Sequence, residues 1–580
     1  MKQHFARRQF FAFMAAVSAS GIASRMAFGD DELKGLVDIA AGEPLDGANG
    51  RPLPKITAAT IAQAEKLTGM TFTPKERSMM AKTIKDQVRW IHQRMAGPEL
   101  PNDLFPALTF NPLLPGHAPH LSTAQGDPNE LPKVVRRLPA EDSEIAYASI
   151  AELSHWLRTR ELTSVRLTRL YLDRLKKHDP ELKCVITLME DEALIQARSA
   201  DQEMDAGQWR GPLHGIPWGA KDLFDTAGIK TTWGAETHKD RIPKTTAVVI
   251  ERLNEAGAIL VAKLSLGALA YNDTWFGGRT NNPWNTEEGS SGSSAGSAAA
   301  TAAGLVGFTL GTETCGSIVS PSLRCGTVGL RPTFGRVPRD GAMALCWSLD
   351  KVGPIVRHVD DAAPVLAAIN GASPGDPASV SQPLHVDTAS TAQGLRVAYD
   401  PKWFSDDETG RIELQAVEAL RKSGVRLQEI KLPAWPWDSL FLILLAEATA
   451  AFESLTRSNE DDKLAWQEPE AWPNTFRQSW FIPGPELVQA DRFRRQCMEH
   501  FAEVFSNIDA IIAPSFAEGL IISMNCTGHP SLTVPVGLKE SGSPHGVTMI
   551  GRLFDEGTLL RLGREIERSC WLTKPRRPLA

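Results

Sequence analysis

Residues 289–297 read GSSGSSAGS. A run this dense in glycine and serine is ordinarily a flexible linker. Here Ala298 to Ala303 follow at once as an Ala-rich helix, and Leu305 to Leu310 are apolar enough for a central strand. The loop is therefore embedded in a fold. A second reading takes Gly292-Ser293-Ser294-Ala295-Gly296 as a GxSxG elbow with Ser294 reactive. That elbow needs a strand directly before it, and Asn281-Asn282-Pro283-Trp284-Asn285 is turn chemistry. A third reading joins the loop to two neighbours. One is the turn Thr312-Glu313-Thr314-Cys315-Gly316-Ser317-Ile318. The other is Gly215-Ile216-Pro217-Trp218-Gly219-Ala220-Lys221-Asp222, which sets one lysine after a tight turn.

Outward from these segments the chain alternates helices with short buried strands, the pattern of an α/β fold. Helices are expected over Ile150 to Arg160, over Ser164 to His178 with Thr163-Ser164 as its cap, from after Leu188 through Met204, over Ala247 to Ala256 and over Ile412 to Ser423. Strands are expected at Val185 to Leu188, Ala258 to Ala262, Leu395 to Tyr399, Val425 to Ile430, Ile508 to Ala513 and Leu532 to Val536. Residues 370–394, rich in Pro, Ser and Ala, read as a linker or surface loop. Residues 30–142 form an N-terminal extension, helical over Thr57 to Leu67 and Pro74 to Met95 and Pro-rich without periodicity over 97–140.

With 580 residues, 42% hydrophobic and 23% charged, the chain holds a sizeable core, which excludes wholesale disorder, collagen and a multi-span membrane protein. The charge of -7, from 62 bases and 69 acids, shows no basic excess of the kind a nucleic-acid binder carries. Seven scattered cysteines without a CxxC make neither a disulfide scaffold nor a zinc ribbon. The close histidine pair, His117 and His120, lies in a Pro-rich stretch and reads as loop.

Residues 1–29 carry Lys2, Arg7, Arg8 and Arg25 and no acid, with an apolar run from Phe10 to about Ala23. Such a run is shorter than the ~20 residues that span a bilayer. With small residues near Ala27-Phe28-Gly29 it reads as a signal peptide; a buried helix or an uncleaved anchor is the alternative. Arg7-Arg8-Gln9-Phe10-Phe11 resembles a twin-arginine export signal, with Ala6 in place of the usual Ser or Thr. Cleavage after Gly29 removes four bases and leaves 58 against 69 acids, a charge of -11. The expectation is export to the periplasm or another extracytoplasmic space of a bacterium.

Catalysis by a serine nucleophile needs a base to activate it, an acid for the leaving group and donors for the developing oxyanion. No histidine motif offers the base. A lysine can serve once burial disfavours its ammonium form. Lys221 lies in a weakly charged stretch, and its alternative is a charge paired by Asp222 or another acid.

The three segments, with the connecting text GSAAATAAGLVGFTLGTETCGSIVSPSLRCGTVGLRPTFGRV, resemble the amidase signature family. The resemblance continues through Ser348-Leu349-Asp350, Gly353-Pro354, Asn507 to Pro514, Asn525 to Gly537 and Ile550-Gly551-Arg552, and covers roughly residues 143–575. It implies a single large amidase domain over 143–580: a mixed, mostly parallel sheet flanked by helices. It places a Ser–cis-Ser–Lys triad on Ser317, Ser293 and Lys221. Ser317 would become acylated, Ser293 would relay the proton, and Lys221 would act as base. The Gly292-Ser293 bond would be cis. Backbone amides of Thr314, Cys315, Gly316 and Ser317 would form the oxyanion hole. The register on Ser293 rests on its 24-residue separation from Ser317; Ser291 is the competing choice.

Three positions depart from the family pattern. Cys315 replaces the first of two glycines, Glu313 stands for the usual Asp with Val319 for the usual Arg, and Leu266-Gly267-Ala268 lacks a common acidic residue. An acid–arginine brace would be missing or rebuilt. Cys315 also admits a thiol nucleophile. Trp435, Trp437, Trp466, Trp472 and Trp480 either line an apolar substrate pocket or pack in core and lid. The reading is an exported amidase acting on a carboxylic amide with an apolar acyl or amine part, metal-free and cofactor-free. Its partner is a small-molecule substrate, without nucleic acid and without stable membrane insertion after the leader is removed; a homo-oligomer stays open. The rivals are an A-type component of the tRNA-dependent amidotransferase and a catalytically silent exported binding protein.

Overall fold

The computed structural model describes residues 55–98, 100–118, 126–134, 136–572 and 578. The signal read over residues 1–29 and His120 lie outside the described residues. The chain divides into two compact units, Met1–Pro101 and Asn102–Ala580. In the first, α1 (Ala58–Thr68) and α2 (Pro74–Ala96) each open with a capping box, Thr57 with Thr60 and Thr73 with Glu76. Such boxes satisfy amide donors that a helix start leaves free.

The second unit is built on one eleven-stranded sheet. In chain order the strands are β1 (Val185–Leu188), β2 (Pro217–Lys221), β3 (Ile259–Leu264), β4 (Phe308–Glu313), β5 (Val328–Arg331) and β6 (Lys351–Val356). They continue as β7 (Arg396–Tyr399), β8 (Arg426–Glu429), β9 (Ala510–Ala513), β10 (Ser531–Leu538) and β11 (Pro544–Gly551). Their spatial order is β1-β3-β2-β4-β6-β5-β10-β11-β9-β7-β8.

The sheet is mixed. Parallel pairing joins β3, β2 and β4 on one flank and β9, β7 and β8 on the other. The middle, from β4 through β6, β5, β10 and β11 to β9, is antiparallel, as is the edge pair β1/β3. The mostly parallel arrangement implied by the resemblance thus describes the flanks. The reason lies in the connections: helical crossovers allow parallel neighbours, whereas a tight link such as Leu538 to Pro544 turns the chain straight back.

Two elements bring the key loops together. Helix α4 (Ala295–Ala302) is buried along its whole length. A Cβ on Gly296 would lie 2.5 Å from the Cys184 carbonyl oxygen, so the helix start needs a residue without a side chain to sit this low on the sheet. Ser297 Oγ donates to the Leu310 carbonyl at 3.0 Å, and the hydroxyls of Thr301 and Thr309 meet at 3.0 Å. Small side chains thus hold α4 flush against β4. The strand itself begins at Phe308 rather than Leu305. Gly304 leaves α4 at φ 62°, and Leu305 and Val306 are buried as the chain turns. Helix α3 (Ser164–Leu182) starts where expected, with the Arg166 amide donating to Thr163 Oγ1 at 3.1 Å, and runs past His178.

The Pro-rich stretch packs into the large unit from Asn102 onward. The Asn102 amide group donates to the Ala344 carbonyl at 2.8 Å and accepts from the Ala344 N–H at 2.8 Å. Trp347 Nε1 donates to the Asn102 carbonyl at 3.2 Å. Among the described residues, no helix is long and apolar enough to cross a membrane.

Candidate active site

Parallel neighbours end on the same side of a sheet. Ala220 of β2 lies opposite Leu310 of β4, so Lys221 and Thr312 finish side by side. The Lys221 side chain is fully buried. Its Nζ donates to Ser293 Oγ at 2.8 Å, to Thr312 Oγ1 at 2.8 Å and to Ser294 Oγ at 3.1 Å. Burial pulls its pKa from the ordinary 10.5 down to about 7, against the opposing pull of the Asp350 and Glu313 carboxylates.

Asp222 does not pair with Lys221. It faces away, with its Oδ1 3.0 Å from Lys263 Nζ and its Oδ2 accepting from the Thr232 amide at 2.7 Å and the Thr232 hydroxyl at 2.6 Å. Lys263, itself buried, absorbs that charge. A second buried amine, Lys351, is also held near 7, by burial first and then by the Arg331 guanidinium. Its Nζ donates to the Leu349 carbonyl rather than to a hydroxyl.

The Gly292-Ser293 peptide bond is cis. Ser293 is buried and takes the Lys221 bond. The next residue, Ser294, donates its amide to the Ser317 carbonyl at 3.2 Å, which stitches the glycine–serine loop to the turn after β4. Ser317 is half-buried. Ser291, the competing register, bonds Ser320 Oγ at 2.6 Å and donates its amide to Asp273. Ser294 Oγ lies between Lys221 and the Thr312 backbone, accepting from the Thr312 amide at 3.2 Å and donating to its carbonyl at 3.1 Å. Before this loop, Asn281–Asn282 and Asn285–Gly289 form only a small two-stranded ribbon apart from the main sheet.

In the turn from Thr314 to Ser317, Gly316 carries φ 95°, while Cys315 keeps an ordinary negative φ. The position where a glycine is lost therefore does not need one. Burial pushes the Cys315 thiol far above its usual value, which removes it as a thiolate nucleophile. Glu313 is the anchor beneath the turn. Its Oε2 accepts the amides of Ile318 at 2.8 Å and Val319 at 2.9 Å. Its Oε1 receives Arg331 at 2.6 Å and Asn525 at 3.0 Å. The acid–arginine brace is thus rebuilt from β5, with Arg331 doing what position 319 cannot. Thr314 Oγ1 donates to Asp350 at 2.6 Å, fixing the other end.

Gly267 is enclosed by backbone: a Cβ there would lie 2.0 Å from the carbonyl oxygens of Tyr271 and Asn272. No side chain fits the site of that departure. A cavity of about 250 Å³ opens beside Leu223, Thr312 and Thr314. Its walls include Met343, Leu345 and Trp347, and Phe105 of the Pro-rich stretch. None of the five tryptophans between 435 and 480 lines it. Trp472 instead stacks on Phe476 at 4.9 Å, and Trp435 packs on Trp437 at 5.3 Å. Among the described residues, no three His, Cys, Asp or Glu side chains converge as a metal site requires. Thr312 and Asp350 stand inside the quoted motifs, yet nothing local marks them as partners of Lys221 and Thr314. Arg331 stands in the same quoted text with nothing to mark it as the partner of Glu313, and Phe105 and Trp347 carry no local signal.

A buried lysine held near neutrality thus bonds a serine beside a glycine-containing turn. The amidase family model matches residues 166–521, and the chain belongs to the amidase family. It is 33% identical over 481 residues to the A-type component of the glutamyl-tRNA(Gln) amidotransferase of Geobacter metallireducens, covering 74% of this chain and 99% of that one. Among solved structures it is similar to the native peptide amidase of Stenotrophomonas maltophilia, with a TM-score of 0.66 at 29% identity over 74% of this chain and 98% of the other. It is also similar to the A-type component of the glutamyl-tRNA(Gln) amidotransferase of Thermotoga maritima, with a TM-score of 0.62 at 27% identity over 75% and 96% of the two chains.

Proposed function

We propose that the protein hydrolyses carboxylic amides to an acid and an amine or ammonia through an acyl-enzyme on Ser317. The observation that carries this reading is the 2.8 Å bond from a buried Lys221 amine, held near neutrality, to Ser293. Ser317 Oγ attacks the amide carbon and yields its proton to Ser293, whose own proton passes to Lys221. The amides of Thr314, Cys315, Gly316 and Ser317 receive the oxyanion. The C–N bond then breaks as the proton returns through Ser293 to the leaving nitrogen. Water attacks the ester, forming the acid and restoring the Ser317 hydroxyl. A second reading, a component that passes ammonia on to an acyl acceptor, draws on the 33% identity to the amidotransferase chain.

One experiment separates the readings. The purified protein alone is incubated with a fluorophosphonate and, separately, with a panel of amides and esters. A single phosphonyl adduct mapping to Ser317, with amine release from the panel, is expected. Release that needs added partner chains supports the amidotransferase reading. Folded protein with neither label nor turnover is a binding protein.

Export is part of the proposal. Residues 1–29 fused to a folded reporter should carry it out of the bacterial cytoplasm, and Arg7→Lys with Arg8→Lys should stop it. Unchanged export of that double variant removes the twin-arginine pathway.

A further inference from the structure

Lys351 of β6 pairs with Glu313 of β4, so the residues just outside the pair, Asp350 and Thr314, face each other as well. The Thr314 hydroxyl donates to Asp350 Oδ1 at 2.6 Å. This bond ties the turn at Ser317 to the loop that leads into β6. Residues 344–350 of that loop are neither helix nor strand. Asp350 Oδ2 gathers the loop by accepting the amides of Leu345 at 2.8 Å and Cys346 at 2.9 Å. The Cys346 carbonyl closes it, accepting from the amides of Leu349 at 3.0 Å and Asp350 at 2.9 Å. A loop without ladder partners opens readily unless side chains hold it, and its bond to the turn is only as firm as the loop.

The second hold comes from Glu447, 99 residues beyond Ser348, on α5 (Phe441–Ala451). Its Oε1 accepts the Ser348 hydroxyl at 2.5 Å. Its Oε2 accepts the Ser348 amide at 2.9 Å and the Cys346 thiol at 3.3 Å. Arg494, buried on α6 (Gly484–Asn507), donates Nη2 to the same hydroxyl at 3.0 Å. Two carboxyl groups thus fix one short loop. Asp350 reaches the turn, and Glu447 reaches the helices between β8 and β9. Among the described residues, the hydrogen bonds of Glu447 go to this loop alone. It touches neither Lys221 nor the serines, and it does not line the cavity.

We propose that Glu447 is a positioning residue: through Ser348, Cys346 and Asp350 it fixes Thr314, and with it the turn whose amides receive the oxyanion. The inference rests on the hydrolase reading for what the turn does and on the hydrogen bonds alone for what holds it. Donors aimed at a developing charge work only when the groups behind them are themselves locked. The helices between β8 and β9 thereby reach the reaction without touching the substrate.

Hydrogen–deuterium exchange on the full chain reads the turn without turnover. Peptides covering residues 314–320 should exchange about tenfold faster in Glu447→Ala than in wild type, as the loss of one net hydrogen bond gives. Glu447→Gln, whose side-chain carbonyl still accepts the Ser348 amide, should stay near wild type. Peptides of β11 should not change, which separates a loosened turn from a loosened fold. On an amide that the wild type hydrolyses, kcat of Glu447→Ala should fall about tenfold or more, toward the 10²–10³ of a lost oxyanion donor, and Glu447→Gln should recover most of it. Thr314→Val removes the bond through which Glu447 acts, so in that background Glu447→Ala should cost no more than about twofold. Unchanged exchange of the turn, exchange raised equally in β11, or additive losses in the double variant overturn the inference. Wild-type kcat in Glu447→Ala overturns it and leaves the hydrolase reading standing. Faster exchange of the turn alone, with no amide hydrolysed by the wild type, does the reverse.

Discussion

Replacing Lys221 with methionine should lower kcat/KM for any amide that the protein turns over by about 10²–10⁴, the range for a lost general base. The wild-type rate should rise with pH through about 7, because only the unprotonated amine can take the proton from Ser293. Lys221→Arg is the sharper variant. A guanidinium keeps the charge but does not deprotonate in a protein, so it should be as inactive as methionine across the whole range. The fold should survive both. Between about 7 and the ordinary 10.5, the unfolded chain binds a proton at this site that the folded chain refuses. Stability contributed here therefore rises with pH across that window. Lys221→Met removes that slope and a buried polar group with it, and its urea midpoint near pH 7 should not fall below that of wild type. Wild-type rates in either variant would exclude Lys221 as the base.

The environment that makes this lysine usable is only partly legible in the sequence. Lys221, the loop around Ser293 and the turn at Ser317 each stand in a contiguous motif, and local chemistry marks all three. What surrounds them comes from far along the chain. Lys263 removes the charge of Asp222 from a neighbouring strand, a consequence of the parallel pairing of β2 with β3. Pattern reading also places a strand over Leu305 to Leu310, because apolarity alone does not separate a helix exit from a strand. The observed start at Phe308 follows from Gly304, whose positive φ turns the chain after α4 before it extends. The antiparallel middle of the sheet is hidden for a similar reason. Alternating helices and strands suggest crossovers, yet β10 and β11 are joined by five residues and must pair as a hairpin. The cavity walls are the least legible of all: Phe105 lies on a Pro-rich stretch without periodicity, far along the chain from Leu223, Met343, Leu345 and Trp347.

The second large effect should come from Glu313→Gln. Burial by itself would raise this carboxyl, but the Arg331 guanidinium, the Val319 amide and Asn525 together hold it at about 2. It is thus ionised at every working pH and carries four donors from three separate elements. Glutamine keeps the shape and removes the charge, leaving Arg331 buried without a counter-ion. Breaking one side of such a pair costs about 3–5 kcal/mol, to be read from the shift in urea midpoint at pH 7. The pH dependence has a defined sign. Because the folded pKa lies below the ordinary 4.5, the stabilisation is complete above 4.5 and is lost as the pH falls toward about 2. Glu313→Gln should flatten that acid limb. Activity should fall more steeply than stability, since the amides of Ile318 and Val319 that Glu313 holds directly follow Ser317, the proposed nucleophile. Adding Arg331→Met to Glu313→Gln removes the orphaned cation and should recover part of the stability but not the rate. A double variant no more stable than Glu313→Gln would show that the loss lay in the turn and not in the buried charge.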